Sequence, residues 1–148
     1  MKAGKTIAVI ALAIFVGGGL AAADDRTYYD GRSASDENVP PFSGSVMTNG
    51  TLYVSGQLGL TNGKVPETAE EEARNVMNAV KAQVESAGMT MNDVVFVQIF
   101  CSDVEHYGAF NGVYRTYFTE EYPARAFIGS GKLLFGARFE VLATAVKK

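Results

Sequence analysis

Two charges interrupt runs that otherwise read as apolar strands. In Ala124-Arg125-Ala126-Phe127-Ile128, strand alternation places Arg125 on the face of Phe127. In Arg138 to Val146, the same alternation places Glu140 with Leu142, Thr144 and Val146. A charge on such a face costs on the order of several kcal/mol unless it is paired or solvated. The plain explanation is that the two pair with each other or lie on an exposed face. The chemical one is that a planar guanidinium grips a substrate carboxylate through two parallel hydrogen bonds, while a carboxylate holds and partly deprotonates a water. That pair of groups suits hydrolysis at an electrophilic carbon such as that of an imine. The reaction needs a positioned water and proton transfers, no metal and no organic cofactor, and the sequence offers no motif for one.

Other reactive side chains are scarce. His106 is the one histidine of the 148 residues, so a multi-histidine metal site is excluded and paired histidine acid–base chemistry has no second member. Its expected place is the first turn of a helix, near solvent. Cys101 is the one cysteine, so no intrachain disulfide forms. It ends the apolar run that begins at Val94 and reads as a small buried hydrophobe rather than a nucleophile.

The elements that must carry Arg125 and Glu140 are legible around them. Val46 to Val54 reads as a hairpin closed by Asn49-Gly50, which tolerates the positive φ angles of a type I′ turn. A second turn is expected at Thr61-Asn62-Gly63-Lys64. Ala69, Ala73, Val76, Met77, Val80, Val84 and Ala87 recur at steps of three and four and define one face of a helix. Thr68 and Glu71 have capping-box spacing, and Gly88 suits the C-terminal cap. Val94 to Cys101 reads as a central strand. Asp103 caps a second helix reaching about Phe118, with Tyr107, Phe110, Tyr114, Tyr117 and Phe118 toward the core. Strands over Ala124 to Gly129 and Arg138 to Val146 complete a β-β-α-β-α-β-β order, an α+β layer with two helices on one face of a mixed sheet.

Length allows one domain. A formal charge of −3 lacks the basic footprint of a nucleic-acid binder. The N-terminus reads separately. Lys2 and Lys5, the apolar run Ile7 to Val16, and Ala21-Ala22-Ala23 follow the order of a secretory signal peptide cleaved after Ala23. An uncleaved membrane anchor is the alternative. Cleavage removes two lysines, taking the charge from −3 to −5, and leaves an exported protein, periplasmic or secreted, with no membrane attachment. Residues 24–40 read as a flexible lead-in to a domain over 41–148, with Tyr28-Tyr29 free to pack somewhere.

From Pro41 to Lys148 the sequence resembles the RidA/YjgF/UK114 family. The resemblance is carried by "PFSGSV" at 41–46, "LYVSGQLG" at 52–59, "EEARNVMNAVKAQVESAG" at 71–88, "FNGVYRTYF" at 110–118, "YPARA" at 122–126 and "FEVLATAV" at 139–146. It implies a chorismate-mutase-like fold, a homotrimer with clefts between subunits, and hydrolysis of enamines or imines such as 2-aminoacrylate to 2-keto acids and ammonia. It implies that Arg125 binds the substrate carboxylate and Glu140 holds the attacking water. Asn111 matches a supporting residue, and Ser55 and Gly56 match the segment lining the cleft. Three positions depart from the family pattern. Phe42 stands where a Tyr is usual, Phe127 where a Cys is frequent, and Leu134-Phe135-Gly136 replaces a Leu-Pro pair followed by Gly. Phe42 and Phe127 are therefore expected at the substrate's edge. A non-catalytic trimer that binds a small carboxylate or a protein partner is the competing reading. A ribonuclease is a third, disfavoured by the acidic balance and the lack of a basic aromatic groove.

Overall fold

The computed structural model describes residues 25–147. The six strands are β1 (Thr27–Tyr29), β2 (Ser45–Thr48), β3 (Thr51–Leu58), β4 (Val94–Cys101), β5 (Ala124–Gly129) and β6 (Phe139–Val146). The two α-helices are α1 (Ala69–Ser86) and α2 (Tyr107–Tyr114). The strands form one sheet in the order β1-β2-β3-β6-β4-β5. Only β4 and β5 run parallel among these pairs, joined by the crossover through α2. The fold is the expected mixed α+β layer. The segment read as the signal peptide, residues 1–23, lies outside the described residues.

Local chemistry sets the boundaries. Asn49 and Gly50 adopt φ of 48° and 72°, the type I′ geometry that joins β2 to β3. Thr68 caps α1, its hydroxyl accepting from the Glu71 amide at 3.1 Å. Gly88 takes φ of 70° just beyond that helix. The apolar stripe of α1 is buried against Leu52, Val54, Phe139, Val141, Ala143 and Ala145 of the sheet, the hydrophobic layer on which the domain rests.

Three expectations are corrected. The lead-in is not wholly unstructured: Thr27–Tyr29 pairs antiparallel with Ser45–Met47 as an edge strand. The Asp25 carboxylate accepts from the Thr48 hydroxyl at 2.7 Å and the Asn49 amide at 2.6 Å, pinning this arm to the hairpin turn. The second helix is shorter than expected. Asp103 caps a single 3₁₀ turn over Val104–His106, and α2 ends at Tyr114 before another 3₁₀ turn, Arg115–Tyr117. Tyr107 faces outward with 49% of its surface exposed, whereas Phe110, Tyr114 and Phe118 are buried. His106 lies in the turn ahead of α2, half-buried with its ring edge toward Phe139.

One buried charge anchors the layer. Glu72, in the first turn of α1, is fully buried. Its Oε1 accepts from the amides of Arg138 (2.5 Å) and Phe139 (3.1 Å), and its Oε2 accepts from the Arg138 guanidinium at 2.8 Å. Arg138 also donates to the carbonyls of Pro66 and Glu67. Deleting one partner of a satisfied buried pair strands the other and two amides. Glu72→Ala should therefore lower the unfolding free energy by about 3–5 kcal/mol in urea titration. A loss below about 1 kcal/mol, the range of surface pairs, would contradict this anchoring role.

Candidate functional site

Arg125 and Glu140 sit on opposite faces of the same sheet. Arg125 is in register with Val97 of β4, a fully buried residue on the helix-covered face. Glu140 is in register with Phe100, which pairs on its other side with Ile128, all three on the open face. β4 lies between their strands. The two charges do not pair, and the chain holds them in two separate settings.

The first setting gathers around Arg125 on β5. Its Nη1 donates to Asn111 Oδ1 at 2.7 Å, and its Nη2 reaches the Tyr107 hydroxyl at 3.4 Å. The guanidinium carbon lies 4.8 Å from the ring centre of Tyr114, 5.7 Å from that of Tyr107 and 5.9 Å from that of Phe127. Asn111, Tyr107 and Tyr114 lie in α2, so the helix positions the arginine on its strand. Beside it opens a cleft of about 290 Å³ lined by Tyr107, Asn111, Tyr114, Arg115, Tyr122 and Arg125.

The second setting gathers around Glu140 on β6. The ladder between β3 and β6 shifts register between Val54 and Gln57, and Gly56 lies in that bulge. A methyl group at Gly56 would land on the Glu140 carboxylate, so the close approach requires glycine. Ser55 donates to the Ser43 carbonyl at 2.7 Å, which holds the Phe42-Ser43 segment beside the bulge. Phe42 is 52% exposed, and its ring lies against the Arg32 guanidinium.

The expected site residues thus divide into Arg125, Asn111 and Phe127 in one group and Glu140 and Gly56, with Ser55 adjoining, in another, while Phe42 lines a separate cavity with Arg32, Pro40 and Pro41. Phe127 packs edge-on against Tyr107 and Phe110. Its bulk is taken up between β5 and α2, away from the cleft lining. Sequence reasoning missed Tyr107, Tyr114, Arg115 and Tyr122 as cleft residues. The aromatic spacing around Asn111 is the available signal, but the same spacing also marks a core-facing stripe.

A profile of the family described as Endoribonuclease L-PSP matches residues 33–147. The chain belongs to this family, that of RidA, YjgF and UK114. It is 36% identical over 106 residues to the 2-iminobutanoate/2-iminopropanoate deaminase of Dermatophagoides farinae, covering 70% of this chain and 83% of that protein. It is 35% identical over 112 residues to the mouse protein of the same name, covering 74% and 83%. Among solved structures it resembles RidA from an Antarctic Psychrobacter, with a TM-score of 0.69, 31% identity and coverage of 73% and 89%. It also resembles Escherichia coli TdcF with bound serine, with a TM-score of 0.71, 26% identity and coverage of 74% and 91%. Relatives of this RidA-type chain are thus named as imine deaminases.

The two tyrosines nearest Arg125 are tuned in opposite directions. Burial pushes the Tyr114 phenol up to about 12, against the pull of Arg125. The Asn111 hydrogen bond and then the Arg125 charge hold the exposed Tyr107 phenol below its ordinary value. In an alkaline absorbance titration, Tyr107→Phe should remove an early-ionising fraction of the tyrosinate signal. Tyr114→Phe should leave the curve unchanged until close to pH 12. Loss of an early fraction in Tyr114→Phe instead would refute the environment assigned to it.

Proposed function

We propose that the protein hydrolyses enamines and imines of small 2-amino acids to 2-keto acids and ammonia, in clefts between the subunits of a homotrimer. The observation that carries this reading is the placement of Arg125 and Glu140 on opposite faces of one sheet, each in a prepared setting. An arginine fixed by Asn111 and a carboxylate seated over Gly56 form a site only when the open face of one subunit meets the α2–β5 edge of another. That arrangement agrees with the deaminase names of the relatives.

In the proposed mechanism the substrate carboxylate lies along the Arg125 guanidinium, which orients the C=N bond toward Glu140 of the partner subunit. That carboxylate accepts a proton from a water as its oxygen adds to the imine carbon. The proton passes to the nitrogen, leaving an amine and a hydroxyl on a tetrahedral carbon. The hydroxyl proton then moves by way of Glu140 to that amine as the C–N bond breaks, so that ammonia leaves and the carbonyl forms. Water is consumed, one ammonia is released, and no electron changes hands. We further propose export of the mature protein, on the pattern of residues 1–23.

A second reading has one observation in its favour. Phe42 brings no hydroxyl at the position where the family resemblance expects a Tyr, which fits a trimer that binds a small carboxylate without turning it over. Carboxylate binding that needs Arg125 but not Glu140, with no ammonia release, would identify that case.

Arg125→Ala and Glu140→Gln should each lower imine hydrolysis by about 10²-fold or more. Because each cleft draws the two residues from different subunits, unfolding and refolding the variants together should restore part of the activity. A mixture as inactive as its components would refute the shared cleft. Full activity in either single variant would refute the roles assigned to these residues.

A further inference from the structure

The cleft at Arg125 carries more positive charge than a single carboxylate requires. Two guanidinium groups, Arg125 and Arg115, line it, and no Asp or Glu does. The chain as a whole carries a formal charge of −3, so this concentration runs against the molecule's balance. Arg125 is already held by Asn111 and Tyr107. Arg115 stands at the exposed rim, and among the described residues no carboxylate pairs with it.

A second observation points to a ligand. The Tyr114 hydroxyl is the one buried side-chain nitrogen or oxygen among the described residues that has no hydrogen-bond partner. Tyr114 is 4% exposed and lines the cleft immediately before Arg115 in sequence. A buried donor left unmade costs free energy and calls for an acceptor. The phenol stays protonated over the physiological range, because burial raises its pKa to about 12. It can therefore donate to an anion but not repel one. Together these groups offer two cations and a hydroxyl donor to an acceptor-rich molecule, in a cleft of about 290 Å³, which is at the small end for ligand sites.

We infer that the substrate is a dicarboxylate, the imine of an acidic 2-amino acid, with its 2-carboxylate on Arg125 and its side-chain carboxylate drawn to Arg115 and the Tyr114 hydroxyl. The inference rests on the imine-hydrolase reading and specifies its substrate. Such an imine arises by two-electron oxidation of an acidic amino acid at its amine. Hydrolysis adds one water and releases one ammonia, giving a 2-keto diacid. A reaction of the oxidising class must therefore supply the substrate.

The test compares 2-keto acid release from imines generated in situ by oxidases acting on glutamate and on 2-aminobutyrate. At equal limiting imine concentration, the glutamate-derived imine should be hydrolysed about three- to fivefold faster, the size of effect one rim charge supplies. Arg115→Met should bring the ratio of the two rates close to one. A ratio unchanged by Arg115→Met, or a wild-type preference for the monocarboxylate, would overturn the inference and leave the deaminase reading standing. If neither imine is hydrolysed, the deaminase reading fails, and calorimetric binding of 2-oxoglutarate against 2-oxobutanoate decides the diacid site separately. Tighter binding of the diacid that is lost in Arg115→Met would support it, and equal binding would overturn it.

Discussion

The carboxylate of Glu72 fixes what the rest of this structure needs fixed, the register of the last strand. It sits without solvent contact in the first turn of α1 and takes the amides of Arg138 and Phe139 at the point where β6 begins. The N-terminal end of the helix favours the negative charge, and the Arg138 guanidinium neutralises it. Glu140 follows two residues later. A slip of one residue in β6 would turn Glu140 into the apolar layer and Phe139 into the open face. The clamp therefore decides which side of the sheet receives the Glu140 carboxylate. Gly59 belongs to the same constraint, because a side chain there would strike the backbone carbonyl of Glu72.

With the register set, the sheet acquires two chemically different faces. Phe139, Val141, Ala143 and Ala145 of β6 are buried under the helices. Glu140, Leu142 and Thr144 of the same strand are only partly covered, and Tyr53, Phe96 and Val146 are exposed on the sheet. A face carrying those aromatic and aliphatic side chains beside a seated carboxylate is poorly suited to bulk water. Arg125 reaches the other side, at the edge strand β5, where α2 supplies its amide and its rings. This division keeps the two charges from neutralising each other within the chain.

Much of this was legible from residue types. The Asn49-Gly50 turn, the stripe of α1, the strand ending at Cys101 and the opposite-face alternation of Glu140 follow from local periodicity and turn chemistry, and the structure reproduces them. What escaped the pattern depended on partners distant in sequence. Glu72 sits among Glu70 and Glu71 in a run of acidic residues, and nothing local distinguishes the one that turns inward to meet Arg138. β1 was obscured because three residues in a polar segment become a strand only when β2 offers an unpaired edge. Tyr107 was assigned inward because its spacing matches Phe110 and Tyr114. The 3₁₀ turn ahead of α2 and the closeness of Arg125 instead leave it at the cleft.

The departure at Phe127 shows how such a site can change without losing its central contact. The ring packs edge-on against Tyr107 and Phe110, at centroid distances of 5.0 and 5.7 Å, and contributes one of three aromatic faces around the Arg125 guanidinium. Rings at these distances attract the cation and restrict its rotation. With Asn111 taking Nη1, the guanidinium keeps little conformational freedom. A larger residue at position 127 therefore stiffens the arginine from behind, while the cleft in front of it keeps its opening. The direction of the Arg125 guanidinium is thus set by the packing between β5 and α2, whereas the character of the opening is set by the groups along it.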